Sequence, residues 1–274
     1  MITRQQLHYK LAKSSLRKPM TWLRHRRLRT ADIFIASYPR AGSTWLRFLL
    51  FELLMGYPAT FETINREDSA VPEVKYCQHA PALLPDNGRL IKTHEPYRAE
   101  YRKAIYLARD VRDVAVSEYN YLKLIDVFTG SLDEFINVFI KGEVNGYGNW
   151  NNHFLSWYED ETLERDNLLI VRYEDLLDQG VAVLKKILHF LQVQRNNNDI
   201  VAALDHNNFE LMKMKEKAAK RTMLKHHRNE FDFVRRGLAN QWPNILTNEQ
   251  TYRIEECASE SMSLLGYPKT NEKK

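Results

Sequence analysis

Four short runs, Asp32–Ser37, Arg89–Thr93, Lys103–Ala108 and Asn167–Val171, are dense in β-branched, aliphatic and aromatic residues and close to continuously apolar. Such runs suit strands buried on both faces better than half-exposed ones, which would alternate polar and apolar. Between and after them, apolar positions return every three or four residues, which predicts helices over Ser43–Met55, Val111–Leu124, Leu132–Lys141, Asn149–Asp160, Val181–Leu191, Asp199–His206 and Asn248–Leu264. Strands alternating with helices predict the α/β class: one domain with a central parallel sheet flanked by helices on both faces. No internal repeat or low-complexity linker divides the 274 residues, and one α/β domain with a deep core can hold them. The expected limits are an N-terminal arm over 1–30, the domain over 31–267 and a frayed tail over 268–274. Lys213–Arg228 is densely basic and runs into a turn-rich segment reaching Asn244, which predicts a mobile loop.

Charge changes this picture mainly at the N-terminus. The formal net charge of +5 suits an anionic ligand but does not select one. Residues 1–30 hold nine Lys and Arg residues, among them Arg17, Arg24, Arg26, Arg27 and Arg29, and no Asp or Glu. Two readings stand for this arm: a solvated basic helix packed on the domain edge, or a surface for weak contact with a membrane or an acidic substrate. No apolar run approaches the ~20 residues of a membrane span and no secretory h-region is present, so a cytoplasmic setting is expected. Cys77 and Cys257 make neither a disulfide framework nor zinc-ligand spacing.

Candidate chemistry begins where the first strand meets its helix, in "SYPRAGSTW" (37–45). In a parallel sheet, ligands gather at this kind of junction, because free backbone N–H groups and the helix dipole point there. Pro39 stiffens the exit, and Gly42 lets backbone approach a bulky anion. Ser43 and Thr44 supply hydroxyls, and Arg40 a planar fork for phosphate or sulfate oxygens. The turn reads as an anion cradle or as an ordinary strand-to-helix link. It is not the Gly-Lys-Ser/Thr nucleotide loop, because Gly42 is followed by Ser43-Thr44-Trp45. Trp45 is a stacking face for a base or a core residue. A second junction, "YLARDVRDVAVSEYNYLK" (106–123), offers Arg109 and, two helical turns on, Ser117. A third stretch, "FDFVRRGLANQW" (231–242), places Arg235, Arg236 and Gly237 together.

Taken in order, "YPRAGSTW", "ARDVRDVAVSEY", "VRYEDL" (171–176) and "FVRRG" resemble the motifs of sulfotransferases that use 3′-phosphoadenosine 5′-phosphosulfate (PAPS). The resemblance runs from about Ile33 to Tyr267 and implies a P-loop-kinase-like sulfotransferase fold that needs no metal. It assigns Arg40, Ala41, Gly42, Ser43 and Thr44 to the 5′-phosphosulfate and Trp45 and Tyr173 to the adenine. Arg109, Ser117, Arg235, Arg236 and Gly237 go to the 3′-phosphate. Arg40 stands where many relatives have Lys, so charge stabilisation survives while proton donation does not. Ala41 replaces a frequent Ser. The physical demand agrees: a donor charged at both ends needs two cationic sites and an aromatic slot, whereas a nucleoside triphosphate wants one cradle and magnesium.

"RLIKTHEPY" (89–97) resembles the family's KTH element, which implies His94 as general base and Lys92 as a stabiliser of the transferring sulfuryl group. Glu95 follows where phenol-directed relatives have leucine. It favours a polar or cationic acceptor unless it pairs with a neighbour such as Arg98. Thr60–Leu84 and Leu124–Tyr147 are expected to line the acceptor pocket, and Glu67, Asp68 and Asp126 lean the same way. His226 and His227 are expected to be solvated. Two rivals remain: a kinase with Asp110 as its magnesium acid, and a nucleic-acid module, for which no helix-turn-helix or RNA-sheet signature is found. The expected partner is therefore a small-molecule acceptor, not nucleic acid. Acceptor identity and oligomeric state stay open.

Overall fold

The structure is a computed structural model and describes residues 11, 14, 16–223 (side chains of 220–223 excepted) and 237–270. Four strands, β1 (Ile33–Ala36), β2 (Leu90–Thr93), β3 (Ala104–Ala108) and β4 (Leu168–Arg172), form one parallel sheet in the order β2-β1-β3-β4. Ala36 pairs with Thr93 on one side and Tyr106 on the other, so three strands deliver their carboxyl ends to one edge. The chain leaves β1 for β2 in one direction, and the β2-to-β3 connection crosses back over β1. A crevice opens at such a reversal, and open α/β sheets hold ligands there.

Among the described residues the helices are α1 (Arg17–His25), α2 (Ser43–Met55), α3 (Phe61–Asn65), α4 (Val111–Leu124), α5 (Leu132–Ile140), α6 (Trp150–Tyr158), α7 (Tyr173–Asp178), α8 (Gly180–Phe190), α9 (Asn197–His206), α10 (Phe209–Met223), α11 (Asn248–Cys257) and α12 (Ser259–Leu265). Alternation along β1 sends Phe34 and Ala36 to one face and Ile33 and Ile35 to the other. Phe34 packs in a core with Val114 of α4, Phe135 of α5 and Trp157 of α6. Ile35 belongs to a second core with Leu49 of α2, Ile187 of α8 and Ile200 of α9. Both faces of the sheet are thus covered, as the unbroken apolar runs require.

Local chemistry sets the helix ends. Ser131 with Glu134, Asn196 with Asp199 and Thr247 with Gln250 form reciprocal capping boxes that start α5, α9 and α11. Gly56, at φ 78°, closes α2. The helix expected over Asn248–Leu264 is two, α11 and α12, separated at Ala258, where φ −109° and ψ 11° leave the helical region. Lys213–Arg228 is not a loop as far as it is described: its first eleven residues belong to α10. The good helix formers of "FELMKMKEKAAKRTM" outweigh the charge density that suggested a loop. Residues 224–228, with His226 and His227, lie outside the described residues.

The described residues near both ends are held. In the arm, His25 Nδ1 lies 2.6 Å from the Thr21 carbonyl and Nε2 contacts the Tyr101 hydroxyl. Buried Arg89 holds Asp32 at 2.5 Å and donates to the Arg27 carbonyl at 3.0 Å. Of the expected tail, 268–270 are described: Arg112 donates to the Pro268 carbonyl, and the Thr270 hydroxyl donates to Glu255 at 2.7 Å; 271–274 lie outside the described residues.

Candidate active site

The turn after β1 enters α2 through two left-handed residues, Arg40 (φ 68°) and Gly42 (φ 98°). At Gly42 a Cβ would be strained by the backbone and would also sit 2.5 Å from the Tyr173 ring. Glycine therefore lets the turn lie flat on that ring. Gly42 is the N-cap of α2 and no side chain caps the helix among the described residues, so its first-turn N–H groups and the positive end of its dipole face the crevice. Gly42, Ser43, Thr44, Trp45 and Arg40 all line a cavity of about 450 Å³. Ala41 does not: it is buried, and its N–H is given to the Tyr38 carbonyl at 3.3 Å. Its expected place in the anion cradle is therefore corrected, because it turns into the protein.

Arg109, at the end of β3, ties the separate stretches together. Its Nη1 donates to the Arg40 carbonyl at 3.3 Å and its Nη2 to the Leu238 carbonyl at 3.1 Å, while the guanidinium lies over Tyr173 at 4.6 Å. Its Nε is buried with no hydrogen-bond partner among the described residues, a donor that an anion in the cavity would satisfy. Ser117 lines the cavity too, and its hydroxyl accepts from Arg40 Nε at 3.2 Å. Arg40, assigned to one anion site, thus touches Ser117 and Arg109, assigned to the other. Gly237, at φ 61°, lines the cavity and packs so closely on Phe209 that a Cβ would collide with that ring. Arg235 and Arg236 lie outside the described residues.

Trp45 and Tyr173 meet edge to face at 5.8 Å, and the Trp45 indole N–H donates to the Asn207 carbonyl at 2.8 Å. Asn207, Phe209 and Met212 complete this aromatic side of the cavity. Sequence reasoning missed them because they sit at the α9–α10 junction, next to the stretch taken for a loop. It also missed Asp113, whose carboxylate accepts the backbone N–H groups of Asn240, Gln241 and Trp242 at 2.8–3.0 Å and so straps the segment after Gly237 to α4. The adjacent Asp110 caps α4 and is held by Arg112 at 2.6 Å, so it is a structural acid rather than one poised for magnesium.

To the same cavity β2 brings Lys92 and Thr93, with His94 directly after its last residue. His94 Nδ1 lies 2.7 Å from the Ser37 carbonyl. That oxygen can only accept, so Nδ1 carries the hydrogen and Nε2 keeps its lone pair. Burial first, then the Lys92 charge, holds the imidazole well below the ordinary histidine range, so it is neutral and basic at neutral pH. Behind it, His153 Nε2 donates to the His94 carbonyl at 3.0 Å, and burial pushes His153 down to about 4. Burial also lowers Lys92, opposed by Glu73, whose carboxylate lies 3.3 Å from Lys92 and 3.0 Å from Lys75. The Lys92 charge holds Glu73 well below the usual carboxylate range.

Both stretches expected to line an acceptor pocket reach the cavity, through Glu73, Val74 and Lys75 of one and Asn145 and Tyr147 of the other. Two of the acids that leaned toward a cation have partners within the chain. Glu67 faces His79 and Asp68 pairs with Arg66, both at exposed positions. Glu95 lines the cavity, but its carboxylate is taken by Arg17 of α1 at 2.5 Å, and Arg98 pairs instead with Glu100. The Arg17 guanidinium also lies 5.1 Å from the Tyr147 ring centre.

Comparison with known proteins fits this geometry. A family described as "Sulfotransferase domain" matches residues 30–266. Sulfotransferase 1B1 of Canis lupus familiaris is 28% identical over 257 residues, covering 86% of this chain and 84% of its own length. Luciferin sulfotransferase of Photinus pyralis is 26% identical, over 86% of this chain and 73% of its own. Among solved structures, mouse sulfotransferase SULT7A1 complexed with PAP superposes with a TM-score of 0.68 at 27% identity, covering 93% of this chain and 91% of that one.

Proposed function

Because the chain belongs to the sulfotransferase family, an enzyme family that draws its sulfuryl group from PAPS, we propose that it transfers this group to a hydroxyl or amine of a small polar acceptor with His94 as general base. The observation that carries the reading is one cavity lined together by Arg109, by the start of α2 and by His94. The residues suit the donor's chemistry: an orphaned Arg109 Nε for a phosphate, a helix N-terminus and Arg40 for the phosphosulfate, and the Trp45–Tyr173 corner for the base.

In the proposed step, His94 Nε2 takes the acceptor's proton as its oxygen or nitrogen bonds to sulfur, in line with the departing phosphate oxygen. The sulfur–oxygen bond to that phosphate breaks, leaving a sulfated product and 3′,5′-bisphosphoadenosine (PAP). Lys92 holds charge on the transferring group. Arg40 and the α2 N–H groups meet the charge that grows on the leaving oxygen, and Arg40 does so without giving up a proton. Glu95 and Glu73, the carboxylates lining this part of the cavity, hold cations of the chain itself, which favours a polar acceptor over a cationic one. The test is incubation with PAPS carrying labelled sulfur and a small-molecule extract of the source organism. A product heavier by one sulfuryl group, formed by wild type and not by His94→Ala, supports the reading; PAPS left intact with every acceptor fraction removes it.

A further inference from the structure

The acceptor end carries a positive surplus that the reaction does not use. Of the cations around Glu95, Arg17 is engaged with its carboxylate and Arg98 with Glu100. Arg24, two turns further along α1, also lines the cavity, yet its guanidinium makes no hydrogen bond or ion pair among the described residues. Lys75, the remaining cation at this lip, is held by Glu73. The position is fixed from behind: His25, the next residue, is buried and bound to Thr21 and Tyr101, and the Arg24 carbonyl accepts from Cys77 Sγ at 3.7 Å. A guanidinium on an anchored helix, lining a cavity and bound directly to no carboxylate among the described residues, is a ready site for a planar anion.

Arg24 lines the same cavity as the base. Tyr147 touches both the His94 ring, at 5.9 Å between centres, and the Arg17 guanidinium. An acceptor with its nucleophile on His94 Nε2 would run along Tyr147 toward α1. We infer that Arg24 is an acceptor-binding residue, and that the acceptor carries a carboxylate or similar anionic group at the end remote from the atom that is sulfated. This rests on the proposed sulfuryl transfer. It gives the basic arm a task at the active site, with Arg17 holding Glu95 neutralised so that its carboxylate does not repel the incoming anion.

The test uses three matched phenols with PAPS and the full chain: 4-hydroxyphenylacetate, 4-hydroxyphenethylamine and 4-ethylphenol. The carboxylate should be sulfated with the highest kcat/KM, by on the order of ten- to hundredfold, the usual range for a charge-assisted hydrogen bond. Arg24→Gln should erase that preference through KM, leaving the rank of the two other phenols and the affinity for PAP unchanged, while Arg24→Lys should restore part of it. Any other ranking in wild type, including no transfer to the carboxylate, overturns the inference, as does a preference that survives in Arg24→Gln. Calorimetric titration with PAP separates the two levels: PAP binding together with transfer to a neutral or cationic phenol leaves the proposed function standing while the Arg24 assignment falls.

Discussion

The role proposed for His94 rests on one hydrogen bond. The Ser37 carbonyl fixes the tautomer, and a low-dielectric surrounding with Lys92 nearby keeps the ring unprotonated. Replacing His94 with alanine should lower turnover by the ~10²–10⁴ of a lost general base while leaving PAP affinity within a factor of about two; single-turnover kinetics beside calorimetry checks both. The sign of the pH dependence follows from the depressed ionisation. A base must be neutral to work, so activity should hold as pH falls through about 6.5, the ordinary histidine value, and decline only below it. A pH profile of kcat/KM with a neutral phenol as acceptor reads this directly, and an acid limb centred at or above 6.5 would contradict it. Much of this was legible residue by residue: Lys92, His94, Arg40 and Arg109 stand at strand ends, where a parallel sheet presents its chemistry. Glu73, Asn207 and Tyr147 were not legible, because each comes from a stretch without a motif and acquires meaning only when the fold brings it to the cavity. Glu95 was legible as a position but not as a contact, since its partner Arg17 lies 78 residues away.

Among the elements, α2 and α4 match the helices read from the sequence to the residue, because a glycine turn or an aspartate cap marks their starts and apolar spacing their length. Short α3 and α7 had too few turns to show a period, and α10 was hidden by its lysines. The junctions matter most for function. Gly42 meets two demands, left-handed backbone and contact with Tyr173, so Gly42→Ala should cost roughly 1–3 kcal/mol of stability and weaken PAP binding as well; thermal unfolding with and without PAP measures the two. Asp113 joins α4 to the segment after Gly237 through three backbone N–H groups. Asp113→Ala leaves these donors without their acceptor, and we expect PAP affinity to fall on the order of tenfold, with the KM for acceptor little changed. Equal losses for donor and acceptor would point instead to general destabilisation.

For the whole molecule, a parallel sheet with a crossover beside β1 opens a crevice. Arg40, Arg109 and the start of α2 line it and suit a charged nucleotide, while a buried imidazole stands among paired charges and α1 supplies Arg24 to its lining. The unbroken apolar character of four runs was enough to predict the sheet and its two covered faces. Nothing in local spacing could show that the basic arm folds back over the active site, because that contact depends on His25 reaching Tyr101 and Arg17 reaching Glu95 across long stretches of chain. We expect the anionic nucleotide to be held by groups converging from separate stretches, with Arg109 as their link. Calorimetric titration of PAP into wild type and Arg109→Gln measures this. Wild type should show one saturable site and the variant an affinity lower by about ten- to hundredfold; no binding to wild type, or equal affinity in the two proteins, would refute the convergence.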